Sequence, residues 1–302
     1  MSIILTSAIA NTLKRTLNKI IDDKTDGIEA DAIFTDYLDD DEMTDAYDDD
    51  LEMGGPGLAS EVPEGAEIPL GSVREGYMTR YIARKIGMRL LISDEAIEDC
   101  KYPQAIKAGK RLKKAMWKTF DYVGALLLAR AWNTSYPGGD GQPLFSASHT
   151  LPGGGTWSNT MTVPMSPSRG ALIVARADVR KYLGHDGLVE GTKIRQIICP
   201  VEQTSAWEEI CGSEKAPEPG EFNKKNVVYG WKLKITEVPF WMNTTTNWIL
   251  RTEVENGLRW RWRRRPDSTT TVNNDHEVMV YKISARIDAK WSDPRAVYGS
   301  QA

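Results

Sequence analysis

QAIKAGKRLKKAMWKTFDYVGALLLARAW, Gln104 to Trp132, followed after three residues by YPGGDGQPLFSASHTLPGGGTWSN, Tyr136 to Asn159, decides how this chain is read. The first stretch has no proline, and Ile106, Leu112, Met116, Val123, Leu127 and Trp132 recur at helical spacing. That pattern predicts one amphipathic helix, about 40 Å long at roughly 1.5 Å per residue. Pro103 suits its first turn. One face is basic, with Lys107, Lys110, Arg111 and Lys114 flanked by Lys113 and Lys118. The glycine-rich stretch after it holds no GxxxxGK[ST] and no GxGxxG between a strand and a helix, so it reads as a connection and not a phosphate loop.

Upstream, YMTRYIARKIGMRLLIS, Tyr77 to Ser93, predicts a strand. Before it lies GGPGLASEVPEGAEIPLGSVREG, Gly54 to Gly76, rich in Gly and Pro, with short apolar alternations around Val62, Ile68 and Leu70. It predicts an extended β-hairpin loop, a length that is functional when it occurs in a folded domain. Glu61, Glu64, Glu67 and Arg74 are its candidate contact residues. From Thr25 to Val73 there is no Lys or Arg but there are sixteen acidic residues, which marks an exposed arm rather than a segment that folds on itself. Apolar Tyr37, Leu38, Met43, Tyr47 and Leu51 interrupt the acids, so the arm is expected to dock on a basic surface. Its candidate contacts are Asp39, Asp40, Asp41, Tyr47 and Asp49, reaching another subunit's Lys107–Lys118 face. A disordered acidic segment is the other reading. The first residues, MSIILTSAIANTLKRTLNKII, predict an amphipathic helix, because Lys14 and Arg15 follow the apolar part instead of preceding it as in a signal peptide.

Downstream, SPSRGALIVARADVRKYLG predicts a helix, KIRQIICPV a buried strand and TSAWEEICGS a short helix; VVYGWKLKITEVPF, NWILRTE and EVMVYKISARIDAKW are further strands. LRWRWRRRP, from Leu258, has two readings. Arg259 to Arg265 with Trp260 and Trp262 provides phosphate contacts and stacking rings, a nucleic-acid patch in which Arg261 and Arg263 face DNA. The favoured reading is a half-buried strand, with tryptophans inward and arginines toward solvent or a neighbouring subunit.

The whole chain of 302 residues has a net charge of -4, which by itself argues neither for nor against a polyanionic partner. Cys100, Cys199 and Cys211 are scattered and outside any CxxC pattern, which fits a reducing compartment. His149, His185 and His276 lie far apart, so no metal site and no cofactor is expected. No apolar run approaches the roughly 20 residues of a membrane helix. Ser146, Ser148, His149 and Asp140 have the types for a nucleophile and base, but no GxSxG elbow accompanies them, and the chain is not expected to be an enzyme.

DGQPLFSASHTLPGGGTWSN after a long helix resembles the major capsid proteins of tailed bacteriophages, those of the Hong Kong 97 type, and in particular Mu-type head subunits. EVPEGAEIPLGSVREGYMTRYIARKIGMRLLISDEAIED, SPSRGALIVARADVRKYL with KIRQIICPV, and the closing VYKISARIDAKWSDPRAVYGS follow in the same order, from about Pro63 to Ser300. The resemblance implies an α+β HK-97-like fold with a peripheral domain built on the spine helix, an axial α/β domain, an extended loop and an N-terminal arm. The corresponding segments are 1–53 (arm), 54–92 (loop), 93–166 (peripheral), 167–262 (axial) and 263–302 (return to the peripheral domain). It implies a subunit that assembles with itself, as hexamers and pentamers, into an icosahedral shell enclosing double-stranded DNA held non-specifically. A separate scaffolding protein (only residues 1–53 precede the loop), a portal, a possible decoration protein, synthesis in the host cytoplasm and residence in the virion belong to the same expectation. The alternative is a nucleic-acid-binding protein using residues 259–265.

Overall fold

The computed structural model of the protein describes residues 6–23, 27–93, 95–96, 99, 102–215, 224–241, 243–273 and 278–301. Cys100 and His276 lie outside them. The long helix, α3, runs Tyr102–Ala129, close to the expected span. One side of it buries Met116, Trp117 and Phe120, because those positions fall on a common helical face. An amphipathic helix α1, Thr6–Asp22, lies across it, with the Leu17 and Ile20 side chains against Gly109, where a Cβ would have no room. A single turn, α2 (Phe34–Tyr37), is held by Asp121 of α3, which accepts from the Ile33 and Phe34 N–H groups at 2.8 and 3.0 Å. Burial pushes the Asp121 carboxyl above its usual range.

These helices pack on a four-stranded sheet ordered β1-β10-β11-β4. Its strands are Asp39–Glu42 (β1), Arg84–Ser93 (β4), Leu258–Asn273 (β10) and Val278–Trp291 (β11). The antiparallel β10–β11 ribbon carries Trp260, Trp262, Tyr281, Ile283 and Ile287 into the core, as a period of two requires. Phe34 lies 4.2 Å from Trp260, and Phe120 lies 5.2 Å from Trp262, centroid to centroid.

A second core sits under another four-stranded sheet, ordered β12-β9-β7-β8: Val297–Ser300 (β12), Trp248–Thr252 (β9), Ile194–Cys199 (β7) and Lys234–Glu237 (β8). Helix α4, Arg169–Val179, begins at Ser168, whose Oγ accepts from the Ala171 N–H at 3.1 Å. It buries Leu172, Ala175 and Val179 with Trp207 of α5 (Val201–Gly212) and Trp248.

Three elements differ from the sequence reading. Tyr77–Ser93 is two strands, β3 (Glu75–Ile82) and β4, with a break at Ala83: β3 pairs with β2 (Tyr47–Met53), while β4 joins the large sheet. The hairpin stem therefore begins inside the acidic segment, and β4 belongs to the body and not to a loop over 54–92. Residues 227–233 are a 3-10 turn, Val228–Trp231, ended by Lys232 in the left-handed region at φ 49°, so only Lys234–Glu237 is strand. Residues 13–22 and 34–43 are packed against the body and not extended from it: Leu13, Leu17, Ile20, Phe34, Tyr37, Leu38 and Met43 are all buried.

Candidate assembly surfaces

The acidic segment meets cations of its own chain. β1 runs parallel to β10 in the register Asp39↔Arg259, Asp40↔Trp260, Asp41↔Arg261 and Glu42↔Trp262. Arg251, nearly inaccessible, binds Asp39 at 2.5 Å. Arg259 reaches Asp41 at 3.6 Å and Asp50 at 3.4 Å. Arg261 pairs with Asp48 and stands 3.7 Å from Asp41 and from Asp50, its guanidinium 4.5 Å over the Tyr81 ring. A shift of register after Trp262 carries Arg265 to the tryptophan side, where it lies over Trp262 and binds Asp40 and Glu42 at 3.1 Å each. Arg80 of β3 holds Asp49 through two bonds of 2.6 and 2.7 Å, which keeps that carboxyl below the usual range, and Lys234 pairs with Asp36.

The expectation had Asp39, Asp40, Asp41 and Asp49 reaching a neighbour's Lys107–Lys118 face; within one chain each of them pairs with an arginine instead, while Asp40 and Asp49 keep exposed surface beside their partners. The arginine strand offers planar, multi-donor partners one strand away, and the backbone ladder fixes the register. It also changes the reading of Arg261, which is buried and paired and so does not face DNA; Arg263 is exposed. Tyr47 is 56 % exposed, with the Arg80 guanidinium 4.9 Å over its ring, and Asp40 and Asp49 are exposed as well.

The loop between β2 and β3, residues 54–74, has no helix or strand of its own. Glu61, Glu64, Glu67 and Arg74 are exposed, and so are Leu58 (82 %), Ile68 (79 %) and Leu70 (98 %). Its stem is tied to the body through Glu52, whose Oε2 lies 2.7 Å from His185 Nε2, itself 2.9 Å from the Arg295 guanidinium. Arg295 is held by Asp293 at 2.6 Å and Glu190 at 2.7 Å. Burial raises the Glu52 carboxyl in spite of its His185 bond. No local pattern in the residues announces this cluster, since its members come from three stretches far apart in the chain, 52, 185–190 and 293–295.

An open groove of about 850 Å³ lies between β3, β4 and the C-terminal half of α3. Ile86, Leu126, Leu127 and Ile287 line it with Arg80, Arg84, Lys85, Arg130 and Lys290, against one carboxylate, Asp288. On the opposite face of α3 from its core, Lys107, Lys110, Arg111 and Lys114 are exposed.

Asp140, His149 and Asn159 do come together. His149 is fully buried, with Nδ1 2.6 Å from Asp140 Oδ2 and Nε2 3.1 Å from Asn159 Oδ1. The Asn159 amide donates to the Leu144 and Pro294 carbonyls at 2.6 and 3.0 Å, and its oxygen accepts from the Ser146 N–H at 3.0 Å. Both ring nitrogens thus face acceptors, and neither serine oxygen faces the ring: Ser146 Oγ bonds to Gln142 and to the Ser148 N–H. The motif is a buried staple that fixes the glycine-rich connection to the chain's end, not a nucleophile and base. Asn159 is the member that sequence reasoning missed. Burial pushes the Cys199 and Cys211 thiols up to about 11, which leaves them poor nucleophiles. No helix among the described residues is long and apolar enough to cross a membrane.

Residues 76–300, from the β3 strand through β12, match the family model described as phage capsid protein. The chain belongs to that family. Among solved structures, it is similar to the virus-like particle from Pyrococcus furiosus, with 8 % identity, a TM-score of 0.55 and coverage of 95 % of this chain and 98 % of that one. The procapsid of bacteriophage JBD30 matches at 12 % identity and TM-score 0.55, over 99 % of this chain and 76 % of that one. The capsid of an empty GTA particle matches at 11 % and 0.52, over 88 % of both. No curated protein sequence matches. The mixed helix-and-sheet fold is therefore that of phage capsids, and membership in the family gives the chain its role as a capsid protein. Nothing in these comparisons favours the nucleic-acid-binding alternative for residues 259–265.

Proposed function

We propose that this capsid protein is the major head subunit of a tailed phage of the HK-97-like, Mu-type kind, joining copies of itself as hexamers and pentamers in an icosahedral shell around double-stranded DNA. One observation carries the assembly reading: a loop of about twenty residues holds Leu58, Ile68 and Leu70 in solvent, outside both packed cores. Isolated apolar side chains on a projecting loop gain free energy only by meeting another surface. The groove beside α3 is the receptor we assign to them on the next copy, its floor taking the apolar side chains and its cationic rim facing Glu61, Glu64 and Glu67. Arg74 and Tyr47 lie near the base of the loop as further contacts between copies. Charge complementarity of this sort sets register and encounter more than affinity. A separate scaffolding protein, a portal and a decoration protein complete the proposed partners, with synthesis in the host cytoplasm.

Negative-stain microscopy of the full chain across a concentration series tests the reading. Shells or capsomers are expected from the wild type, and Ile68→Ser with Leu70→Ser should raise the assembly concentration by about tenfold or more while leaving the fold intact, because both side chains are already in water. A wild-type chain that stays monomeric at every concentration overturns it.

A further inference from the structure

We infer that the outward face of α3 is a contact surface for the phosphate backbone of duplex DNA, an inference that rests on the capsid reading. Every exposed residue from 107 to 118 is a cation: Lys107, Lys110, Arg111, Lys114 and Lys118. They follow one another by three, one, three and four positions, which places them on a single stripe of the helix. At roughly 1.5 Å per residue the stripe is about 16 Å long. It points away from the protein's own core, since Gly109, Met116, Trp117 and Phe120 occupy the opposite side against α1 and the sheet.

The sequence pairs this face with the acidic segment, most of whose carboxylates are already engaged by cations of their own chain. Asp36, Asp39, Asp40, Asp41, Glu42, Asp48, Asp49 and Asp50 are all held by other cations. None of the five α3 cations makes an ion pair with a carboxylate among the described residues. The exposed glutamates of the loop are a poorer match, because they come with Leu58, Ile68 and Leu70, whereas the stripe's only apolar side chains, Ile106 and Leu112 with small alanines, are partly buried.

A straight, convex row of flexible point charges matches a different polyanion. Duplex DNA carries about one charge per 1.7 Å of axis, so a 16 Å segment offers on the order of nine phosphates to five cations. Lysine suits contacts that need charge and no fixed geometry. Such a surface binds without reading sequence.

The test is a fluorescence-anisotropy titration of full-length protein with a labelled duplex of about 30 base pairs, between about 50 and 300 mM salt. Wild type should show log K falling against log salt with a slope between about -3 and -5. Replacing all five cations with Gln should lower affinity by at least about tenfold near 100 mM salt and flatten the slope. Lys110→Gln and Lys114→Gln, each alone, should reduce the slope by about one. Arg263→Gln with Arg264→Gln should leave it unchanged. The inference is overturned if wild type does not bind at the lowest salt, if the five-fold variant keeps the wild-type slope, or if a peptide of residues 58–73 displaces the duplex, which would make the acidic loop of a second copy the occupant. Microscopy of the same preparations separates the two readings. Shells that form normally with an unchanged salt slope in the variant defeat only the DNA contact, whereas the absence of shells from wild type defeats the capsid reading while the titration still decides the face.

Discussion

Two strongly basic features of this protein, the start of the arginine strand at Arg259 and Arg261 and the exposed face of α3 from Lys107 to Lys118, have opposite surroundings. Arg251, Arg259 and Arg261 are largely buried and each meets carboxylates from β1 or β2. The exposed α3 cations, Lys107, Lys110, Arg111, Lys114 and Lys118, meet none among the described residues, whereas Lys113 on the same helix is buried. The residue types differ accordingly. A guanidinium offers five donors in a plane and is weakly hydrated, so it can be enclosed among Asp41, Asp48, Asp50 and the Tyr81 ring. An ammonium is strongly hydrated and costs more to enclose, so lysines mark a face left for water or a diffuse partner. Net charge alone, or a count of cations per segment, would have treated the two as equivalent.

The largest effect is expected beneath the arginines. Trp260→Ala removes a fully buried ring packed on Phe34 and Phe120, and should cost about 3–5 kcal/mol in denaturant unfolding. Arg261→Ala should cost about 2–3 kcal/mol, because it strands Asp48 and Asp50 around an emptied site; the figure is held down by the partial exposure of Asp41 and Asp48. Arg261→Lys should recover only part of that loss. Full recovery by lysine would break the contrast between the two basic regions.

Much of this was visible in the residues and much was not, for definite reasons. The spine helix was legible because apolar residues repeat on it for more than six turns without proline, and β10 because Trp and Arg alternate. The partner of the acidic segment was not, because the pairing of residues 39–42 with 259–262 joins the two ends of the chain and leaves no local periodicity. Like charges in a run suggested an arm; what folds them is a second run of opposite sign, set beside them by the β1–β10 pairing. The glycine-rich motif was legible in its residue types alone. Asp140 and His149 stood out as reactive groups, whereas their function as a staple depends on Asn159 and on carbonyls from residues 144 and 294.

The loop stem gives a smaller effect with a sign that can be worked out. Burial raises the folded-state Glu52 carboxyl above its ordinary 4.5, so the folded chain holds this proton more tightly than the unfolded one. Its stabilising contribution is complete below that ordinary value and is lost as pH rises through the folded value. Glu190, also raised by burial, acts in the same direction, while Asp49, lowered by Arg80, acts oppositely and below its ordinary 3.8. Thermal melts of Glu52→Gln just above pH 4.5 should therefore be flatter with pH than those of wild type. An identical slope would show that the stem is not where this proton is held.

The smallest effect on stability sharpens the comparison most. Lys107, Lys110, Lys114 and Lys118 touch no carboxylate in the described chain, so Lys→Gln at any of them should change unfolding free energy by no more than about 0.5 kcal/mol. A slight gain is the expected direction, because consecutive cations three and four residues apart on one face repel each other. The gain should vanish near 1 M salt, where the screening length is about 3 Å. Arg261 itself is buried, and its pairs are screened less than those of exposed charges, so most of the loss in Arg261→Ala should persist there. Melting both variants at low and high salt thus separates cations the fold depends on from cations it merely carries. A lysine variant losing as much stability as Arg261→Ala would mean that the α3 face has a partner within its own chain, and with it the case for a surface held open for another molecule would fall.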